Sequence, residues 1–180
     1  MTEPVKSILG APLKNAPQTV NAFSIVFCNI LIATIVFLSA CNSGSYYQKK
    51  IELPDLKWAY SDTLAFQFSM PDTTGIYNIY VDIEHADTFS TQNVYMKLYT
   101  LFPDGKRLSK IKSFDLFDQQ GKPIGACSGG KCRLHATLQE KAFFNSPGAY
   151  EITLEQYTRE DPLPGIFSIG LTIESAGQRQ

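Results

Sequence analysis

The sequence has few charged residues and almost no net charge. Lys, Arg, Asp and Glu make up 18% of 180 residues, the formal net charge is -1, and the pI is ≈ 6.1. Lys49–Lys50 and residues 106–112 are short basic groups of the kind that usually lie on solvated faces. A nucleic-acid-binding surface requires a basic patch or stripe, so the composition excludes that class of protein.

The sequence also lacks the common catalytic motifs. It contains two histidines and no Gly-x-Ser-x-Gly, His-Glu-x-x-His or Gly-x-x-x-x-Gly-Lys-Ser/Thr. His85 lies close to carboxylates and is the best acid/base candidate, although a charged strand end is the favoured interpretation. Asp115 and Asp118 flank a turn and are expected to form local hydrogen bonds. We therefore predict no enzyme activity, catalytic residue, cofactor, metal or small-molecule substrate.

A long apolar run precedes a cysteine. Residues 22–40 contain no charged side chain, and at about 1.5 Å per residue they would nearly cross a hydrocarbon core of about 30 Å. The run ends in Leu38-Ser39-Ala40-Cys41, which resembles a bacterial lipobox. The favoured prediction is a lipoprotein signal peptide over 1–40, cleaved before Cys41, whose sulfur carries the lipid. A retained membrane helix is the alternative. Cys28 would be lost with the signal peptide.

The segment after Cys41 is polar. Residues 42–57 begin with small residues and include Pro54. We predict that 41–57 is a tether of roughly 30–50 Å that holds the folded domain away from the lipid headgroups.

Residues 58–176 alternate between apolar and polar positions with a period of two, which is typical of β-strands. Proline, glycine and aspartate mark turns between the strands, and residues 136–144 are consistent with one helical turn at most. The pattern predicts an all-β, antiparallel β-sandwich of about seven or eight strands, immunoglobulin-like or jelly-roll-like. The predicted strands include 64–68, 76–84, 94–102, 114–117, 134–138, 150–157 and 166–173.

Two cysteines bracket a glycine-rich tip in Cys127-Ser128-Gly129-Gly130-Lys131-Cys132. In an oxidising envelope we predict a disulfide between Cys127 and Cys132, worth roughly 2 kcal/mol because the loop is small. A zinc site that adds His85 and His135 is disfavoured, because Cys132 and His135 would point to opposite faces of a strand. The spacing also differs from the Cys-x-x-Cys redox motif.

The aromatic residues suggest a second class of function. An exposed platform for sugar is the alternative to burial in the core for Trp58, Tyr60, Tyr77, Tyr80, Tyr95 and Tyr99. Asp62-Thr63-Leu64 and Asp72-Thr73-Thr74 resemble a short O-glycosylation signal of Bacteroidetes, which makes Thr63 and Thr73 candidate sites.

An ordered set of residues resembles the GldH family of gliding-motility lipoproteins from Bacteroidetes. After the lipobox, the resemblance rests on Trp58-x-Tyr60-x-Asp62-x-Leu64-x-Phe66, Tyr77-x-Ile79 with Val81, Pro103-x-Gly105, Phe114-Asp115-Leu116, Asp118-x-x-Gly121-Lys122-Pro123, Gly148-x-Tyr150-x-Ile152, Glu155-Gln156-Tyr157, Leu163-Pro164-Gly165-Ile166 and Gly170-Leu171-x-Ile173. The Cys127/Cys132 pair is a departure from what we associate with that family.

The resemblance implies a lipid-anchored, non-enzymatic accessory of the gliding machinery, which is linked to type IX secretion. Its expected partners are the membrane, through Cys41, and other gliding or secretion proteins of the envelope. No acidic run follows Cys41, which favours the periplasmic face, with the outer membrane as the expected membrane. A glycan-binding module that uses exposed aromatic residues is the alternative function.

Overall fold

The structure, a computed structural model, describes residues 45–179. Those residues form one 3-10 turn at Pro54–Leu56 and eleven strands. The strands are β1 (Ser45–Glu52), β2 (Lys57–Trp58), β3 (Leu64–Met70), β4 (Gly75–Ala86), β5 (Asn93–Leu101), β6 (Arg107–Asp115), β7 (Ala126–Ser128), β8 (Lys131–Ala142), β9 (Gly148–Gln156), β10 (Leu163–Pro164) and β11 (Ile166–Gln178).

The strands form two main antiparallel sheets. One sheet has the order β1-β11-β4-β8-β7 and the other has the order β3-β9-β5-β6, while β2 and β10 pair as a short ribbon. The all-β, sandwich-like prediction is confirmed. Three of the strands in the described residues have only two or three residues, and the sequence pattern was too short to predict β2, β7 or β10.

Alternation along β4 decides which side chains enter the core. Val81 and Ile83 are fully buried, whereas Asp82 between them lies on the outer face of its sheet. Strand β11 lies between β1 and β4, and most of its residues from Ile166 to Ile173 are buried because neighbours cover both of its edges. The core lies between the two sheets.

The core contains a large aromatic cluster. Phe144 packs edge-to-face on Tyr150 with ring centroids 4.8 Å apart, and Phe68 stacks on Tyr150 at 5.9 Å. Trp58 is fully buried, and its indole Nε1 donates a hydrogen bond to the carbonyl oxygen of Asp62 at 2.9 Å. Burial of each such side chain contributes about 1.5–3 kcal/mol. These aromatic residues therefore stabilise the fold and are not part of its binding surface.

The predicted tether over 41–57 is wrong from Ser45 onward. Residues Ser45–Glu52 form β1, which pairs with β11 from Ser45↔Glu174 to Glu52↔Ser168. The folded domain therefore includes the described residues from Ser45 onward, and does not start at residue 58. The predicted signal peptide, the apolar run and Cys41 lie outside the described residues. Within residues 45–179, no helix has the length and apolar character needed to cross a membrane.

Two other sequence predictions are corrected along the chain. The strand predicted at 114–117 is the end of a longer strand, β6, which stops at Asp115 and leaves Leu116 and Phe117 in the next loop. The helical turn considered at 136–144 is wrong, because β8 continues through Ala142 in pairing with β4.

Inward-pointing lysines lie on an edge strand of each main sheet. Lys49 of β1 reaches across to the other sheet, where its Nζ donates to the carbonyl oxygen of Ala65 at 3.1 Å. On the opposite side, Lys112 Nζ of β6 donates to the carbonyl oxygen of Leu138 at 3.0 Å. Burial lowers the pKa of Lys112, and the nearby Lys110 lowers it further. Inward-pointing charges of this kind discourage edge-to-edge aggregation.

Candidate functional site

The two ends of the sandwich differ in shape. At one end, which we call the Ser45 end, β1 begins and β11 finishes at Gln178. At the other end β5 begins at Asn93 and β9 finishes at Gln156, and loops from three parts of the chain meet around an open groove. We call this second end the groove end.

The groove has a volume of ≈ 1090 Å³ and presents three tyrosines. Tyr60, Tyr95 and Tyr157 are 49%, 45% and 54% exposed, so three large aromatic side chains share this one surface. The lining also includes Asn93, Ile111, Glu155, Arg159 and Glu160. The groove therefore combines aromatic surface with charged groups of both signs.

A buried amide shapes one wall of the groove. Gln156 is only 3% exposed, and its side-chain oxygen accepts hydrogen bonds from the backbone N–H of Thr158 at 3.0 Å and from the Thr158 hydroxyl at 2.6 Å. Its Nε2 donates to the carbonyl oxygen of Glu160 at 3.0 Å. Because one buried side chain satisfies three polar groups of the loop, the loop after β9 is held in a single shape.

Tyr60 ties the opposite wall to that loop. Its hydroxyl donates to the carbonyl oxygen of Thr158 at 2.7 Å, and its backbone N–H donates to Asp161 Oδ1 at 2.8 Å. Asp62 closes the turn beneath Tyr60 by accepting the backbone N–H of Ala59 at 3.0 Å. The groove is therefore formed before any partner binds, which reduces the entropy lost on binding.

The chemistry of the groove suits binding. Among the described residues that line it there is no histidine or cysteine. Tyrosine and arginine are the residue types that most often carry binding energy at protein interfaces. Beside the groove, interaction with Tyr99 raises the pKa of Lys97, and Glu155 contributes to the same shift. The groove therefore presents contact surface and fixed charge.

His85 is not where the sequence interpretation placed it. The alternation of β4 carries the side chain inward, where it is fully buried between the rings of Phe89 and Phe117, at 6.0 and 5.5 Å between centroids. Its Nδ1 donates to the carbonyl oxygen of Ala86 at 2.8 Å, and burial lowers its pKa. The acid/base alternative is therefore wrong, because a buried side chain has no access to substrate. The interpretation as a charged strand end is also wrong, because the His85 side chain lies in the core.

The two cysteines are bonded to each other. Cys127 and Cys132 are directly opposite in the β7–β8 hairpin, with Cα atoms 4.0 Å apart. Gly129 and Gly130 adopt φ values of 59° and 78°, the positive angles that a two-residue hairpin turn needs. The zinc alternative is wrong because the sulfurs are joined. Within residues 45–179, no group of three or more His, Cys, Asp or Glu side chains is arranged to hold a metal ion.

The six-residue aromatic platform does not form. Trp58 and Tyr77 are buried in the core, and Tyr80 stacks on His135 at 4.1 Å. Tyr60 and Tyr95 do lie together in the groove, and their third partner, Tyr157, was missed. The signal for Tyr157 was its position at the end of the predicted strand 150–157, one residue beyond the observed end of β9 at Gln156.

A polar cluster on the outer face of the five-stranded sheet was also missed. Asp82 accepts hydrogen bonds from His135 Nδ1 and from the Thr172 hydroxyl, each at 2.5 Å. Nearby, Arg133 Nε lies 2.8 Å from Glu84. Burial raises the pKa of Glu84, but Ser168, Lys50 and Lys131 together hold it below the usual value. Both Asp82 oxygens are occupied, so the cluster acts as a cross-strand network that ties β4, β8 and β11 together.

The remaining candidate residues lie in loops or at a strand end. Asp118 Oδ1 accepts the backbone N–H groups of Gln120 and Lys122 at 2.9 and 2.8 Å, which is the local role predicted for it. Asp115 ends β6 opposite Asn93. Thr63 is exposed and Thr73 is half-buried; their glycosylation stays a prediction.

Together these features define an all-β sandwich with a preformed aromatic groove at one end. The GldH lipoprotein family model matches residues 45–173, and the chain belongs to this family. It is also similar to a gliding motility lipoprotein GldH homolog of Christiangramia forsetii, with 23% identity over 163 residues that cover 87% of this chain and 98% of the relative.

Likeness to solved structures is weak. The VP2 subviral particle of infectious bursal disease virus gives a TM-score of 0.29 at 10% identity, over 71% of this chain and 28% of that chain. The Eiger TNF structure from S. frugiperda gives a TM-score of 0.26 at 11% identity, over 76% of this chain and 96% of that chain. Neither likeness bears on function.

Proposed function

We propose that this protein is a non-enzymatic, lipid-anchored accessory of the gliding-motility machinery, linked to type IX secretion, that docks another envelope protein in its tyrosine groove. Family membership supports the role in gliding, because the similar Christiangramia protein is named for that process. The observation that carries the docking mechanism is the preformed groove with three exposed tyrosines.

The anchor in this proposal is Cys41. Residues 1–40 act as a cleaved signal peptide, and the lipidated cysteine begins the mature chain. The domain then lies in the cell envelope, at the periplasmic face of the outer membrane. Lipoprotein family membership supports lipid attachment, and the sequence Leu38-Ser39-Ala40-Cys41 supports this position for it.

A protein is the partner that best fits the groove. Arg159 lines the groove together with two carboxylates, Glu155 and Glu160, so the lining offers both signs of charge beside the tyrosines. A partner loop with apolar and polar side chains satisfies that mixture, and its tip would fill a groove of ≈ 1090 Å³. Tyrosines give large contact area at low entropic cost, and the hydrogen bond of the Tyr60 hydroxyl already holds one of the three in place.

Chemical cross-linking in intact gliding cells tests the proposal. We expect the wild-type protein to yield adducts with gliding or secretion components, and Tyr157→Ala to reduce both those adducts and gliding speed. The matched control is Leu108→Ala, because Leu108 is 51% exposed but lies on β6 outside the groove lining. Failure to recover any envelope protein reproducibly, or equal loss with both variants, would contradict docking in the groove.

A glycan-binding module is the second candidate, favoured by three exposed tyrosines beside carboxylates in one groove. Binding to peptidoglycan or to a glycan array that Tyr60→Ala abolishes, without protein adducts in cells, would establish it instead. Trp58→Ala is unsuitable as the test variant, since Trp58 is fully buried and its loss would act through folding.

A further inference from the structure

The Ser45 end exposes aromatic and cationic side chains that the groove does not use. Phe143 is 53% exposed and Tyr46 is 40% exposed. The guanidinium carbon of Arg179 lies 4.8 Å from the centre of the Phe143 ring. Lys141 is also exposed at this end. Pairs of this kind, an aromatic ring with a neighbouring cation, are typical of side chains at the boundary between lipid headgroups and acyl chains.

The sheet register places these groups near the start of β1. Ser45 pairs with Glu174, and the next residue of β11, Ser175, pairs with Tyr77, which in turn pairs with Ala142. Neighbouring strands lie about 4.8 Å apart, so three steps separate Ser45 from the end of β8 by roughly 14 Å. Phe143 follows directly and lies at the same end.

Backbone contacts hold the exposed groups in place. Phe143 lies between Ala142 and Phe144, both of which are buried, so its side chain is directed outward from a fixed segment. The Arg179 N–H donates to the carbonyl oxygen of Thr74 at 2.8 Å. The Tyr46 hydroxyl donates to the carbonyl oxygen of Ser69 at 2.6 Å. The surface is therefore a preformed one.

The cations at this end are available to an anionic partner. Within residues 45–179, neither Lys141 nor Arg179 forms an ion pair with a carboxylate. Asp72, in the loop before β4, instead accepts the backbone N–H and hydroxyl of Thr74, each at 2.9 Å. Glu174 is half-buried in β11.

Chain length connects this end to the membrane. Cys41 precedes Ser45 by four residues, which span at most about 14 Å when fully extended. The interfacial layer on each side of a bilayer is itself roughly 5–8 Å thick. A lipid on Cys41 therefore keeps Ser45 within about 6–9 Å of the outer surface of that layer, so the Ser45 end faces the membrane at close range.

We propose that the Ser45 end rests directly on the bilayer, with Phe143 entering the boundary between headgroups and acyl chains and with Arg179 and Lys141 contacting lipid phosphates. This inference rests on the proposed lipidation of Cys41. In this arrangement the domain stands on the membrane by its Ser45 end and has no long tether. The groove end then faces away from the lipid.

Tryptophan fluorescence on the full, membrane-extracted lipoprotein tests the orientation. Phe143→Trp and Tyr157→Trp are each reconstituted in vesicles of phosphatidylcholine and phosphatidylglycerol whose acyl chains are brominated near the headgroup. The native Trp58 is fully buried, so the wild-type protein supplies the background. Strand β9 spans nine residues, so the two labelled ends are about 30 Å apart.

We expect bromolipid to quench the emission of Phe143→Trp and to leave Tyr157→Trp unchanged. Equal quenching of both variants, or quenching of neither, overturns the inference. Intact-mass analysis of the same samples separates the two levels of the account. If Cys41 is acylated but Phe143→Trp is not quenched, only the proposed orientation is contradicted. If Cys41 carries no acyl group, both the lipid anchor and the orientation are contradicted.

Discussion

The two ends of the sandwich both expose aromatic side chains but surround them differently. At the groove end, Tyr60, Tyr95 and Tyr157 line a concave surface that the buried Gln156 holds in shape. At the Ser45 end, Phe143 and Tyr46 are exposed beside cations, and neither lines a pocket described for the domain. This difference in surroundings is the basis for the proposed protein partner at one end and the proposed lipid contact at the other.

Removal of the anchor is expected to have the largest effect on this comparison. Cys41→Ser changes no residue of a described strand, yet it removes the only proposed site of lipid attachment. We expect complete transfer of the protein from the membrane fraction to the soluble fraction. A double Cys127→Ala/Cys132→Ala variant should stay with the membrane, and a Cys41→Ser protein that also stays there would show that another feature attaches it.

Truncation of the core beneath the groove should have the next largest effect. Trp58 is fully buried and its indole fixes the turn that ends at Asp62. Trp58→Ala should lower the free energy of unfolding by about 3–5 kcal/mol, as measured by urea denaturation. Tyr157→Ala is the matched surface change and should alter that free energy by no more than about 0.5 kcal/mol. Equal losses in the two variants would contradict the assignment of core and surface.

The disulfide should contribute a smaller amount. It closes a six-residue loop, so the chain-entropy relation gives about 2 kcal/mol for its loss in Cys127→Ala/Cys132→Ala. The free energy of unfolding should fall by that amount, while partner adducts through the groove should persist, since neither cysteine lines it. If the partner adducts were lost while the free energy of unfolding stayed unchanged, the prediction would be contradicted, and the β7–β8 hairpin would be assigned a role in docking.

The smallest predicted effect is a dependence of stability on pH through His85. Burial holds its pKa below the usual value, although the Ala86 carbonyl and Asp87 oppose the shift. The unfolded chain therefore binds more protons, and stability is lost as the pH falls below the unfolded pKa of about 6.5 toward the folded value. We expect His85→Leu to flatten the decline in urea midpoint between about pH 7 and 5. An unchanged slope would show that other groups cause the decline.

The strands that the sequence predicted well are those with clean alternation. The pattern from Tyr77 to Ile83 predicts β4 and its inward face, and its next inward position is His85, so burial of that histidine was available from the same period of two. The interpretation as a charged strand end is wrong because the period of two continues through His85 and carries its side chain into the core.

Among the longer strands, β1 was missed and β6 was predicted only at its end, and both are edge strands with a lysine on the core side. In β1, Lys49 occupies an inward position between Tyr47 and Ile51. In β6, Lys112 occupies the inward position two residues before Phe114 and breaks the apolar pattern of that face. Each lysine bonds to carbonyl oxygens of the opposite sheet, a contact that depends on tertiary structure. The polar, lysine-containing sequence of Ser45–Glu52 therefore resembles part of a tether although it forms β1.

The groove was only partly predictable for a similar reason. Tyr60 and Tyr95 were named as aromatic candidates, but the sequence could not separate them from the buried Trp58 and Tyr77. Their association with Tyr157 requires loops 59–63 and 157–162 to meet, which depends on long-range hydrogen bonds such as that from Tyr60 to Thr158. Local sequence patterns do not predict contacts between residues that are 98 positions apart, as Tyr60 and Thr158 are.

Site-specific photocross-linking in intact cells tests the contrast between the two ends most directly. A photoreactive amino acid is placed at Tyr157 in one strain and at Phe143 in another, and the adducts are separated into protein and lipid. We predict envelope-protein adducts from position 157 and lipid adducts from position 143. Protein adducts from Phe143 together with lipid adducts from Tyr157, or the same adducts from both, would contradict the account.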